Sequence, residues 1–431
     1  MLSSVPAAPP SGSPLTDWLD YLERLHPKSM DFGLGRIGEV RARLGLAPDF
    51  PLITVGGTNG KGSTCAFLES FLRCAGYRVG RYTSPHLLRY NERVLIDGRE
   101  AHDAALVRAF ESVEAARAGV SLTYFEFGTL AAVLMFVEAR VEAAVLEVGL
   151  GGRLDAVNLF DADCAVLVSV GLDHMEYLGG TREAIGFEKA GIFRSRRPAV
   201  VADPDPPASV LAQATRIGAE VFLVDRDFGA LPREQDWTFW SLDGRRAGLP
   251  WPSLRGAFQL GNASAALMAL ETLRGRLPVD MGAIRRGLVE VELPGRFQVL
   301  PGRPVVIVDV AHNPHAALRL RETLARIPGA RSLAVFAMLR DKDITGVAQV
   351  LAPQMDCWFI APLPGPRGET LEGMHAALRG AGVDTPVIEC EDVGSALRRA
   401  REEAGPDDKI IIFGSFLTVA AALAVTHPHP G

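Results

Sequence analysis

At 431 residues the chain has room for two domains of the usual roughly 100–200 residues. Apolar residues make up 48%, charged residues 22%, and the formal net charge is −6, so no basic excess points to nucleic acid or an anionic membrane. Five cysteines without a CxxC pair indicate neither a zinc site nor a disulfide framework and fit a reducing cytoplasm, and no run approaches the ~18 apolar residues of a membrane span.

Residues 1–14 are rich in Pro, Ser and Ala and read as a disordered tail. Thr16 is placed to cap a helix whose Trp18, Leu19, Leu22 and Leu25 share a face. Gly33-Leu-Gly35-Arg-Ile-Gly38 spells GxGxxG, but no apolar strand precedes it, so a dinucleotide site lacks its required context.

Leu52 to Val55 reads as a buried strand, followed by Gly56-Gly-Thr-Asn-Gly-Lys-Gly-Ser-Thr64 and a helix carrying Cys65, Phe67, Leu68, Phe71 and Leu72 up to Gly76. Strand, glycine-rich turn and helix in that order aim backbone N–H groups and a helix dipole at an anion. Lys61 is placed to reach terminal phosphates, with Ser63 or Thr64 offering a hydroxyl near a metal. The loop is irregular: three residues, not four, separate Gly56 from Gly60, and Gly62 stands where Ser or Thr usually follows the lysine.

A strand from Arg78 to Tyr82 ends in Thr83-Ser84-Pro85-His86, which leaves Ser84 either a turn residue or a polar group at the sheet edge where ligands bind. Helices are predicted over 102–118 and 127–139. Between them lies Thr123-Tyr124-Phe125-Glu126, whose aromatics suit the core first and a flat heteroaromatic ligand second.

The strand Ala143 to Glu147 ends in a carboxylate, costly at a buried edge unless paired or metal-bound, so Glu147 is read as a magnesium ligand or as the ion-pair partner of Arg153. The strand Ala165 to Val170 delivers Asp173 and His174, and imidazole chemistry alone leaves His174 equally a capped loop residue. Arg182 to Ala190 is a helix with Lys189 in its last turn, by default a solvated residue favourable to the helix dipole. Strands at 199–202 and 221–224 around a helix at 208–218 follow, then a hairpin at 237–244 and an alanine-rich helix opening at Gly261-Asn262. Composition shifts near Leu293-Pro-Gly-Arg296-Phe297. Beyond it strands at 305–308, 333–336, 358–361, 387–389 and 410–413 alternate with helical patterns, the mark of a smaller Rossmann-like domain whose first strand ends Asp309-Val-Ala-His312-Asn-Pro314.

Taken together, Gly57-Thr-Asn-Gly-Lys-Gly62, Thr83-Ser-Pro-His-Leu87, Leu146-Glu-Val-Gly-Leu-Gly-Gly-Arg-Leu-Asp155, Asp173-His174, Glu188-Lys-Ala-Gly-Ile192, Leu293-Pro-Gly-Arg296 and Asp309-Val-Ala-His-Asn-Pro314 resemble the folylpolyglutamate synthase and dihydrofolate synthase family of the Mur ligase superfamily. The resemblance covers nearly the whole chain, and it accounts for Gly62, since the cell-wall ligases usually carry Thr or Ser there. It implies an α/β protein with a P-loop-containing central-sheet ATPase domain over 15–296 and a smaller Rossmann-like ligase domain over 297–431. By the same resemblance Asn59, Gly60, Lys61, Gly62, Asn262, Arg296 and Asp309 would bind ATP, and Ser84, Glu147 and His174 would hold magnesium, with two ions expected. Lys189 matches a lysine that is carbamylated in this family. The pterin pocket would comprise Thr123, Tyr124, Phe125, Glu126, Arg153, Leu154 and Asp155. Met175-Glu176-Tyr177 and Gly261 depart from the usual pattern and put pocket shape, not reaction type, in question.

The implied reaction is ATP-dependent addition of L-glutamate to dihydropteroate and to reduced folates through an acyl phosphate, by a cytoplasmic monomer that contacts neither nucleic acid nor membrane. Alternatives are folate polyglutamylation alone, a Mur-type ligase acting on a cell-wall precursor, and a nucleotide-binding regulator without catalysis.

Overall fold

The computed structural model describes residues 7–28 and 30–426, so residues 1–6 of the expected tail lie outside the described residues. Further along that tail, Ser11 Oγ and the Gly12 amide both donate to Glu111 Oε1 at 2.8 and 3.1 Å. The chain forms two compact units, one of Met1–Ser253 with Gly261–Val291 and one of Leu254–Leu260 with Glu292–Gly431.

The first unit is built on eight strands: β1 (Leu52–Gly56), β2 (Val79–Tyr82), β3 (Val94–Ile96), β4 (Arg99–Glu100), β5 (Ala143–Glu147), β6 (Cys164–Leu167), β7 (Pro198–Val201) and β8 (Glu220–Leu223). Their order is β4-β3-β2-β5-β1-β6-β7-β8, parallel from β2 to β8, with β3 and β4 added antiparallel at one edge. β1 is buried on both faces, which explains its unbroken apolar run. The helix Lys61–Cys74 that follows is buried continuously from Gly62 to Leu72. Helix Met281–Glu290, absent from the sequence expectation, covers its far side: a Cβ on Gly287 would lie 2.6 Å from the Phe71 ring, and Ser70 Oγ donates to Gly287 O at 2.9 Å.

The expected hairpin is part of a three-stranded antiparallel sheet, β9 (Phe228–Pro232), β10 (Trp237–Ser241) and β11 (Gly244–Leu249), over buried Phe228, Trp237 and Phe239. In the second unit β12 (Gln298–Leu300), β13 (Val305–Val308), β14 (Ser332–Phe336), β15 (Cys357–Ile360), β16 (Val387–Glu389) and β17 (Lys409–Phe413) run in the order β12-β13-β17-β14-β15-β16, all parallel except β12. Phe336, Trp358 and Phe413 pack ring against ring at the centre of this core.

Two local expectations are corrected. The first helix is Leu15–Leu25 with Pro14 at its N-cap, so Thr16 lies inside it and caps nothing. The second helix of the predicted pair starts at Tyr124, three residues early, because Thr123 and Glu126 form a reciprocal capping box. Among the described residues no helix is long and apolar enough to cross a membrane.

Candidate active site

Four adjacent strands, β2-β5-β1-β6, deliver their carboxyl ends to one edge of the first sheet. The register places Glu147 beside Val55, Tyr82 beside Leu146 and Gly56 beside Leu167, with parallel strands about 4.8 Å apart. The glycine-rich loop, Ser84, Glu147 and the Asp173-His174 turn therefore follow neighbouring strand ends.

The loop is braced from β6. Thr58 N donates to Ser169 O at 2.8 Å, Asn59 N donates to Ser169 Oγ at 3.0 Å, and Ser169 Oγ donates to Asn59 O at 2.9 Å. Gly60 has φ +88°, and a Cβ there would meet Asn262 Oδ1 at 2.6 Å and Val168 Cγ1 at 2.8 Å. Glycine is required both for the backbone angle and for the close approach of Asn262. Gly60 then caps the helix whose first residue is Lys61.

Lys61 Nζ donates to Gly57 O at 3.0 Å and Thr58 O at 3.2 Å. Lys189 is not the solvated residue its position in a last helical turn suggests; it is 5% exposed, and its Nζ donates to the same Gly57 O at 3.0 Å. Burial, and then the nearby Lys61 charge, bring the Lys189 amine down to about 7.

Glu147 is buried, and its Oε2 accepts from the Ser84 amide at 3.2 Å. The ion pair with Arg153 does not form: Arg153 lies 3.6 Å from Glu188, donates to Phe187 O at 2.8 Å and sits 4.1 Å over the Phe187 ring. His174, at φ +51°, opens the short helix Met175–Leu178, and its ring stands 3.9 Å from the Asp173 carboxylate.

The predicted pterin residues divide by accessibility. Thr123 and Glu126 are buried in the capping box, with Glu126 also accepting from Arg36 at 3.0 Å. Tyr124 and Phe125 form an aromatic wall, Phe125 against Tyr82 and close to Gly149. Asp155 is buried and accepts from the Leu150 and Val157 amides at 2.8 and 3.0 Å; burial pushes its carboxyl up to about 7. Its neighbour Leu154 is 43% exposed.

Within the second unit, Asp309 follows the carboxyl end of β13 and accepts from the Phe297 and Ala311 amides at 2.8 Å each. Burial raises its carboxyl while the Arg296 charge lowers it, and the Arg296 guanidinium lies 4.9 Å over the Phe416 ring.

Family models match over both regions: Mur ligase middle domain over residues 55–270, and Mur ligase, glutamate ligase domain over 295–416. The chain is 45% identical to dihydrofolate synthase/folylpolyglutamate synthase of Escherichia coli over 97% of its own length and 96% of that protein. The chain belongs to the dihydrofolate synthase/folylpolyglutamate synthase family. The Haemophilus influenzae member is 41% identical over 96% of this chain and 98% of its own. Among solved members, E. coli FolC in complex with DHPP and ADP superposes with a TM-score of 0.93 at 44% identity, covering 98% of this chain and all, 100%, of that one. A bifunctional folylpolyglutamate synthase/dihydrofolate synthase with Mn, AMPPNP and L-glutamate bound superposes with a TM-score of 0.91 at 44% identity, covering 98% of this chain and 100% of that chain.

In this member of the family three contributors are invisible to motif reading. Ser169, which holds the loop through the backbone N–H and carbonyl of Asn59, had only a faint signal in the Ser-Val-Gly after β6. Arg36 reaches Glu126 from 90 residues away. Arg93 donates to His86 Nδ1 at 2.8 Å; burial, and then that guanidinium, push His86 down to about 4, so the ring is neutral and able to accept.

Proposed function

We propose that this chain is an ATP-dependent ligase, a cytoplasmic monomer, that adds L-glutamate to dihydropteroate and to reduced folates. Family membership supports the reaction class. The observation that carries it is the convergence of the Gly57–Gly62 loop, Ser84, Glu147 and Lys189 at the carboxyl ends of adjacent strands.

A carboxylate oxygen of the acceptor attacks the γ-phosphorus of ATP, releasing ADP and leaving an acyl phosphate. The amine of glutamate then adds to the acyl carbon, and the tetrahedral intermediate collapses to an amide, phosphate and a proton. The loop amides and the Lys61 ammonium, turned from the Gly57 and Thr58 carbonyls, stabilise charge on the phosphate oxygens. Asn262 beside Gly60 faces the nucleotide, and Arg296 and Asp309 are assigned to it on resemblance.

The buried Glu147 carboxylate and the Ser84 hydroxyl are hard oxygen donors that suit magnesium, with His174 as a third ligand. When bound, the ion neutralises charge on the transferring phosphate. A buried amine at about 7 has a large neutral fraction, which adds CO2 to form a carbamate and release a proton; carbamylated Lys189 would present oxygen where the free amine presents a cation. Tyr124, Phe125, Arg153, Leu154 and Asp155 are proposed to hold the pterin, with Thr123 and Glu126 shaping the pocket from behind.

The test is an acceptor panel: pure protein with ATP, glutamate and either dihydropteroate, tetrahydrofolate or a muropeptide, read as glutamate-dependent ADP release. Turnover of both pteridine acceptors is expected. Tetrahydrofolate alone would reduce the assignment to polyglutamylation, and muropeptide turnover would overturn it.

A further inference from the structure

The cations of the first unit's site differ in what they face. Arg36 pairs with Asp31 and Glu126, Arg89 with Asp103, and Arg153 with Glu188. Arg93 does not: among the described residues no carboxylate forms an ion pair with it, and its partners are the His86 ring, the Tyr82 hydroxyl and two aromatic faces. The guanidinium lies 5.4 Å over the Tyr90 ring and 5.3 Å over the Tyr124 ring. The residue is only partly exposed, and a half-buried guanidinium without a counter-charge is expensive in an unliganded protein.

Its position is fixed relative to the chemistry. The Arg93 carbonyl accepts from the Thr83 amide at 2.9 Å, and Nε is spent on His86, so the Thr83–His86 segment that carries Ser84 is held from both sides. The guanidinium lies between that segment and the Tyr124 ring, and the terminal nitrogens of such a fork can take a carboxylate bidentately.

Resting on the ligase reading above, the two acceptor classes differ by one charge. Dihydropteroate has a single carboxylate, which is consumed in the reaction. A glutamyl folate brings two on its terminal residue, one activated and one spectator. We propose that Arg93 binds the spectator carboxylate of the terminal glutamate of folate acceptors, and so separates the requirements of the polyglutamylation reaction from those of dihydrofolate synthesis.

The test is steady-state ADP release by wild type, Arg93→Met and Arg93→Lys with dihydropteroate, with tetrahydrofolate, and with a tetrahydropteroyl acceptor ending in 4-aminobutyrate, which lacks the α-carboxylate. Arg93→Met should raise KM for tetrahydrofolate about tenfold to a hundredfold, the usual weight of a hydrogen bond to a charged group, and change KM for dihydropteroate far less. Wild type should prefer the glutamyl over the 4-aminobutyryl acceptor, and Arg93→Met should lose that preference. Arg93→Lys, which keeps the charge without the fork, should show a smaller effect confined to tetrahydrofolate and supplies the readout if the Met variant does not fold. Equal losses with all acceptors would mean that Arg93 only braces the Ser84 segment and would overturn the proposal, as would no change with any. Wild-type protein inactive with every pteridine acceptor would instead overturn the ligase reading, and this proposal with it.

Discussion

Lys61 and Lys189 direct their Nζ atoms at one oxygen, the carbonyl of Gly57, each at 3.0 Å. One carbonyl does not neutralise two ammonium groups, and burial, with the Lys61 charge beside it, makes Lys189 yield its proton readily. Lys189 is thereby left chemically reactive. Lys61→Ala should abolish ligation, lowering glutamate-dependent ADP release by at least about a hundredfold. Near-normal release would disprove the assignment of the loop.

The Lys189 amine carries a pH signature. Its folded-state value of about 7 lies below the ordinary 10.5, so the unfolded chain holds the extra proton between those values and stability climbs with pH across that window. In CO2-depleted buffer the urea midpoint of wild type should rise from pH 7 towards pH 10, and Lys189→Met should remove that contribution. Activity at fixed bicarbonate should rise through pH 7 as the neutral amine forms. An identical pH slope in the Met variant would count against a strained buried amine.

Gly60→Ala tests the loop without touching charge. A β-carbon at φ +88° beside Asn262 Oδ1 strains the backbone and displaces the asparagine, at an expected cost of about 1–3 kcal/mol. Thermal unfolding should detect the loss, accompanied by a raised KM for ATP. Wild-type values for both would show that the loop relaxes freely.

The helix Lys61–Cys74 is tied to β2 by Glu69 and Arg81, 2.6 Å apart with side chains 5% and 9% exposed. Removing one partner leaves a buried charge, so Glu69→Leu should cost about 3–5 kcal/mol by chemical denaturation, whereas Glu69→Leu with Arg81→Leu should recover most of it. Additive losses in the double variant would show that the two residues act independently.

Much of the chemistry lies in short stretches that can be read without coordinates. Glycine spacing, a strand before it and a helical pattern after it describe the phosphate loop locally, because backbone angle and hydrogen-bond direction are local properties. The start of helix Tyr124–Glu138 is equally local, since Thr123-x-x-Glu126 spells the capping box that opens it. Helix Met281–Glu290 and the edge strands β9 and β12 were not legible, since their short, mixed patterns are settled by the surfaces they cover.

The sequence by itself determined the alternation of strands and helices, the irregular loop from Gly56 to Thr64 and the polar residues at strand ends, all products of local periodicity and turn chemistry. Only the tertiary structure decided that Lys189 is buried against Gly57 and not solvated, that Arg153 turns to Glu188 and the Ser84 amide to Glu147, and that Arg93 faces rings instead of a carboxylate. Burial and partner choice depend on which strands become neighbours, and β1 takes its neighbours β5 and β6 from about a hundred residues downstream.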